Sequence, residues 1–208
     1  MMQDALALYR KYYVDTGYER LGLFTLMANR FSSRSALYPG SFTHVTPAFV
    51  YPSVCFVDTD RRAARFFADP AVRDYVNERK VYAEEPSIRF HKADYEQALV
   101  ETEESFDLLI SQYAGFVSQH CKQYLKVGGL LLVNNSHGDA SMARLDSDYV
   151  LVGAIMRRGE QFRLVESDLA AYFVPKRDRT ITREYLERTR RGVAFTRRAY
   201  AYAFRRVH

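Results

Sequence analysis

The sequence is short of cysteine, of clustered glycine and of long apolar runs, and each shortage excludes a class of protein. Only two cysteines occur in 208 residues. Cys55 sits in an apolar strand-like run and Cys121 in a helix-like one, with no metal-ligand spacing, so both read as reduced core residues and no metal site is expected. The longest apolar segment, near Leu21 to Ala28, is far below the ~18–20 residues of a membrane span. The start, MMQDALALYR, lacks the basic region and apolar core of a leader. The expectation is a cytoplasmic protein without membrane association. None of the ten glycines falls in a G-x-G-x-x-G pattern, the arrangement that lets backbone touch a pyrophosphate, which disfavours a dinucleotide.

What is present is a globular core with a basic end. Apolar residues make up 48% and aromatics 14%, and no repeat or low-complexity tract interrupts them. The length suits one domain with terminal extensions. Of the net charge of +5, residues 176–208 hold eleven Lys/Arg against three Asp/Glu, a net of +8, which leaves −3 for the rest. The basicity belongs to the tail, which could meet nucleic acid, an acidic partner or an acidic face of its own protein.

Helical spacing over residues 4–14 and 19–29 precedes a first strand at Ala36-Leu37-Tyr38, and the Tyr-rich first helix reads as core packing. Further strands are read at Val54-Cys55-Phe56-Val57, Ser87–His91, Phe106–Ser111 and Gly129–Asn134, with helices between. Continuous apolar runs suit strands covered on both faces, and the alternation predicts a parallel sheet with right-handed connections. Residues 149–165 then have hairpin spacing around Arg158-Gly159-Glu160. From Thr182 to about Val207 the apolar residues fit a helix.

The stretch Ser35 to Asp60 organises the rest. Gly40-Ser41 ends the first strand and Asp58 the second, eighteen residues after Gly40, against ~20 between a nucleotide-binding turn and the acid that takes the ribose hydroxyls. Asp94 follows the third strand in the same way. Strand-end acids with a glycine-poor turn suit a ligand with adenosine and no phosphate, such as S-adenosylmethionine. The alternative is an ordinary buried βαβ unit in which Asp58 or Asp60 caps the next helix.

Five parallel-type strands, acids after the second and third, a closing hairpin, and the run Leu125-Lys126-Val127-Gly128-Gly129-Leu130 together resemble the class I S-adenosylmethionine-dependent methyltransferases over roughly Ser35 to Lys176. The resemblance implies a three-layer α/β/α sandwich with a Rossmann-like, mostly parallel seven-stranded sheet closed by an antiparallel hairpin. Helices at 1–34 would precede the methyltransferase-like domain at 35–176, and a basic helical extension at 177–208 would follow it. It further implies S-adenosylmethionine as cofactor. The methionine moiety would fall on Tyr38, Gly40 and Ser41, the ribose on Asp58 beside Thr59, the adenine on Asp94 beside Tyr95, and Ser111 would face the methyl group. Here the sequence departs from the family pattern: Tyr38 stands where an acid is usual, and one glycine remains of two or three.

Methyl transfer from a sulfonium is an in-line displacement that asks for a positioned nucleophile more than for a fixed set of catalytic groups. Acceptor-side candidates are Gln112 and Tyr113 after the fourth strand and His137 after the fifth. His137 suits a general base, although a loop histidine satisfied by Asp139 is the favoured reading. The acceptor is unknown, as is the oligomeric state. Arg188, Arg190, Arg191, Arg197, Arg198, Arg205 and Arg206 interleave with Phe195, Tyr200, Tyr202 and Phe204, a set that could pair phosphates and stack bases. A helix with an apolar stripe and a solvated basic face is preferred, so nucleic acid is a possible partner but not the favoured one. The rival to an active enzyme is a binding protein that keeps the fold without catalysis.

Overall fold

A computed structural model of the protein describes residues 5–178 and 180–208. Its chain divides into two compact units, Met1–Leu99 and Val100–His208. Asp4, the expected start of the first helix, lies outside the described residues. Among the described residues no helix is long and apolar enough to cross a membrane.

The first unit begins with a short turn, α1 (Ala7–Tyr9), that runs into a π-helix at Arg10–Val14 and is followed by α2 (Leu21–Phe31). Three parallel strands come next, β1 (Ser35–Pro39), β2 (Ser53–Val57) and β3 (Ser87–His91), in the order β3-β2-β1. β1 and β2 are buried from their second residue onward, as continuous apolar runs require. α3 (Arg61–Ala68) and α4 (Pro70–Arg79) connect β2 to β3. Asp60 caps α3 by accepting from the Arg62 amide, and Asp69 caps α4 with Pro70 in the first turn, where its missing N–H costs nothing. Phe67 of α3 stacks between Phe56 of β2 and Phe90 of β3, with centroid distances of 4.5 and 5.0 Å.

The second unit opens with β4 (Phe106–Ser111), α5 (Val117–His120) and β5 (Leu125–Val133), the two strands parallel. After α6 (Asp139–Leu145) come β6 (Tyr149–Arg158) and β7 (Gln161–Val165), an antiparallel hairpin turned at Gly159, whose φ is +61°. The expected helix over 182–207 is realised only as α7 (Arg183–Thr189); Ala201–Arg206 is an eighth strand, β8. It runs antiparallel to both β5 and β6, giving the order β4-β5-β8-β6-β7. The described residues therefore hold eight strands instead of seven, and the hairpin is joined to the parallel strands through the tail. Ala201, Tyr202, Ala203 and Phe204 are buried, and a four-residue apolar run of this kind reads equally well as part of a buried helix. Cys55 and Cys121 are both buried, as expected.

Candidate functional site

In the first unit, the expected cofactor turn sits at the ends of β1 and β2. Gly40 adopts φ +65° and donates its N–H to the Val57 carbonyl at 2.8 Å, so the chain leaves β1 through a conformation that glycine takes without strain. Asp58 is half-buried, and its carboxylate accepts from the Phe42 amide at 2.7 Å and the Asp60 amide at 2.8 Å, one bond on each oxygen. It is the clasp between the two strand ends. Each oxygen keeps a lone pair for a further donor, so the geometry fits a ribose hydroxyl pair. Thr59 is exposed beside it. Asp94 is exposed beyond β3 and closes its own turn by accepting from the Glu96 amide; Tyr95 is half-buried.

Tyr38 faces elsewhere. Its side chain is buried and its hydroxyl lies 3.0 Å from His44 Nδ1, while His44 Nε2 lies 2.9 Å from the Glu19 carbonyl. A carbonyl can only accept, so Nε2 carries the proton and donates, and Tyr38 donates to Nδ1. Burial, aided by the nearby Arg20 charge, lowers the His44 pKa from 6.5 to about 3, so the ring is neutral. Tyr13 stacks on it at 4.2 Å and 11°, and Tyr9 reaches the Glu19 carboxylate and Thr46. Tyr9 is buried, as the core-packing expectation requires, Tyr13 is half-buried, and Tyr12 is exposed. Ser41 is buried, its backbone carbonyl 3.4 Å from the Tyr13 hydroxyl. Thr43 Oγ1 is buried and has no hydrogen-bond partner among the described residues. An orphaned hydroxyl one turn past β1 is the kind of atom that a bound polar ligand satisfies.

In the second unit, β4 and β5 end in a polar cluster. Ser111 is buried and donates from Oγ to Asp139 at 2.5 Å; Asp139 also accepts from the Ser118 amide and hydroxyl. Burial raises the Asp139 pKa to about 6 against these lowering bonds. The expected Asp139–His137 pairing is not formed: Asp139 turns inward to hold the start of α5, and His137 Nδ1 lies 3.0 Å from Ser136 Oγ in a half-buried loop. Gln112 is buried, its Oε1 accepting from Asn134 at 3.4 Å, and its Nε2 has no partner among the described residues. Tyr113 is half exposed with φ +61°, a conformation that strains a residue with a side chain.

Beyond these strand ends lies a cavity of about 270 Å³, bounded by Tyr113 and Asn134 on one side and by Phe195, Arg198 and Tyr200 of the tail on the other. Gly192 pins the tail there: a Cβ at this position would lie 1.6 Å from the Asn135 carbonyl oxygen. Asn135 Nδ2 donates to the Val193 carbonyl, the Lys176 amide donates to the Ala194 carbonyl, and the Thr196 amide donates to the Val174 carbonyl. Sequence reasoning missed this cavity. The one available signal was a lone glycine following Arg190-Arg191, which marks a close backbone approach. The rest of the tail is not a free basic stripe. Arg205 donates to the Gly128 carbonyl and Arg206 to the Lys122 and Leu125 carbonyls, Arg197 pairs with Asp168, and Tyr202 and Phe204 are buried.

No protein-family model matches the chain, and no curated protein matches its sequence. Solved structures do match in fold. An O-methyltransferase from Bacillus cereus, crystallised with S-adenosylhomocysteine, superposes with a TM-score of 0.53 at 9% identity over 79% of this chain and 89% of its own. A Klebsiella pneumoniae protein assigned as an O-methyltransferase gives 0.52 at 11% identity over 79% and 88%. The chain thus has the Rossmann-like α/β fold of the S-adenosylmethionine-dependent methyltransferases.

Proposed function

We propose that the chain binds S-adenosylmethionine and transfers its methyl group to an acceptor. The observation that carries the reading is Asp58, held at the end of β2 with a lone pair on each oxygen, in a fold shared with an O-methyltransferase crystallised with S-adenosylhomocysteine. In this reading Asp58 takes the ribose hydroxyls, Gly40-Ser41 lines the methionine moiety, Thr43 Oγ1 gains the partner it lacks, and Asp94 with Tyr95 meets the adenine. When bound, the cofactor supplies an electrophilic methyl group on sulfur. The chain's own part is to hold an acceptor oxygen or nitrogen and to exclude water; of the acceptor-side candidates Gln112, Tyr113 and His137, the imidazole of His137 is the one whose chemistry suits receiving a proton.

The test is a thermal-shift titration with S-adenosylhomocysteine, with NAD as control. Ligand at ~100 times its dissociation constant adds ~2.7 kcal/mol, so wild type shifts with the first and not with the second, and Asp58→Ala loses the shift. The ligand-free melting point of the variant, measured alongside, separates lost binding from a loosened turn. Equal stabilisation of wild type and Asp58→Ala would remove the ribose assignment, and no shift of wild type at millimolar ligand would remove the reading.

A further inference from the structure

We infer that Phe42 is a positioning residue for Asp58, held to that task by Tyr12 and Arg62; its effect on a ligand rests on the S-adenosylmethionine reading above. The turn after β1 contains two residues in left-handed backbone, Gly40 at φ +65° and Phe42 at φ +46°. Glycine enters this region freely, whereas a bulky side chain there is strained and persists only where its surroundings hold it. Three groups of the first unit hold Phe42. Its amide donates to Asp58 Oδ2 at 2.7 Å. The Tyr12 ring, from the π-helix Arg10–Val14, meets the Phe42 ring edge-on at 5.3 Å and 89°, and the Arg62 guanidinium lies 4.9 Å from the Phe42 ring centroid. Arg62 is itself fixed, its Nε and Nη2 donating to the Asp60 carboxylate, with the shortest bond at 2.6 Å.

The left-handed backbone is what lets one residue serve both contacts. φ is the rotation that relates a residue's amide to its side chain, so with the N–H fixed on Asp58 this value sends the ring to Tyr12 and Arg62. Of the two donors that orient Asp58, the Asp60 amide is local, two residues on at the cap of α3, and Phe42 is the one that arrives from the end of another strand. The direction of the free lone pairs on Oδ2 therefore depends on Phe42 staying where it is. Tyr12 is exposed and Phe42 half-buried, so the ring contacts form a surface grip and not part of the core. Edge-on aromatic pairs and guanidinium–ring contacts are individually weak, and the grip can be removed without unfolding the unit.

The test is S-adenosylhomocysteine binding, by calorimetry, to wild type, Phe42→Gly, Phe42→Ala, Tyr12→Ala and Tyr12→Phe. Both Phe42 variants lose the ring, but only alanine keeps the strain. The expected order of affinity is wild type, then Phe42→Gly, then Phe42→Ala, the last at least ~10-fold weaker than wild type. A residue that only filled space would not put glycine ahead of alanine, since glycine fills less. Tyr12→Ala weakens binding about 5-fold, and Tyr12→Phe, which keeps the ring, recovers most of it. Native-state hydrogen exchange without ligand reads the grip directly: the Phe42 amide exchanges faster in Tyr12→Ala, and the amides of β1 do not. Phe42→Gly binding no better than Phe42→Ala, an unchanged affinity in Tyr12→Ala, or unchanged Phe42 exchange in that variant would each overturn the proposal. No binding to wild type would remove the S-adenosylmethionine reading, and faster Phe42 exchange in Tyr12→Ala would then still support the positioning of Asp58.

Discussion

The strand ends of the two units use polar groups in opposite ways. After β1, Tyr38, His44 and Glu19 form a closed relay, and Asp58 draws the following turn onto itself. After β4 and β5, Ser111 and Asp139 are closed in the same manner, but Gln112 Nε2 is buried without a partner among the described residues. The first turn is a rigid frame with two carboxylate oxygens still able to accept. The second is a frame with an opening whose wall is a chain segment arriving from more than fifty residues later in sequence.

The sharpest test of this contrast is pH, because the two buried titratable groups pull in opposite directions. His44 has its folded pKa lowered from 6.5 to about 3 by burial and by Arg20. Its contribution to stability is present above 6.5 and is lost as pH falls toward 3, by up to about 5 kcal/mol. His44→Gln, which can keep both hydrogen bonds, should flatten the acid side of the stability profile in urea titrations. Next in size, Asp139 has its folded pKa raised from 3.8 to about 6, chiefly by burial. Its contribution is full below 3.8 and is lost as pH rises through 6, by up to about 3 kcal/mol. Asp139→Asn should remove that slope and leave the acid side alone. Identical profiles for wild type and both variants would mean that neither group is buried as described.

Gly192→Ala comes third. The new Cβ meets a backbone oxygen that cannot move aside, so about 2 kcal/mol of stability is lost through overpacking. Chemical denaturation reads the effect. The smallest change is Tyr38→Phe, which leaves His44 Nδ1 buried without its donor and costs about 1 kcal/mol. Binding of S-adenosylhomocysteine should survive it, since the Tyr38 hydroxyl points into the core; a large loss of binding would restore Tyr38 to the cofactor contacts.

Much of the parallel framework was legible because β2, β4 and the end of β5 are runs of continuous apolar residues and because Asp60 and Asp69-Pro70 are local capping signals. The acid at Asp58 was legible for the same reason: its place depends on where a strand stops. β8 was not. Ala201 to Phe204 is too short for periodicity to separate strand from helix, and its two neighbours, β5 and β6, decide the matter. Asp139 was expected to reach its loop neighbour His137, but the unsatisfied start of α5 is a stronger claim on a carboxylate than an adjacent ring. The cavity was invisible for a topological reason. Its two walls, Asn134 and Arg198, are sixty-four positions apart in the sequence, and only the return of the tail brings them together.

That return has a consequence for how the chain is made. β8 is the last strand among the described residues yet lies between β5 and β6, so until residue 206 has left the ribosome those two strands expose unpaired edges to solvent, a state open to edge-to-edge aggregation. Assembly of the second unit therefore waits for residues 201–206, and a chain stopped at residue 200 loses a central strand instead of a tail.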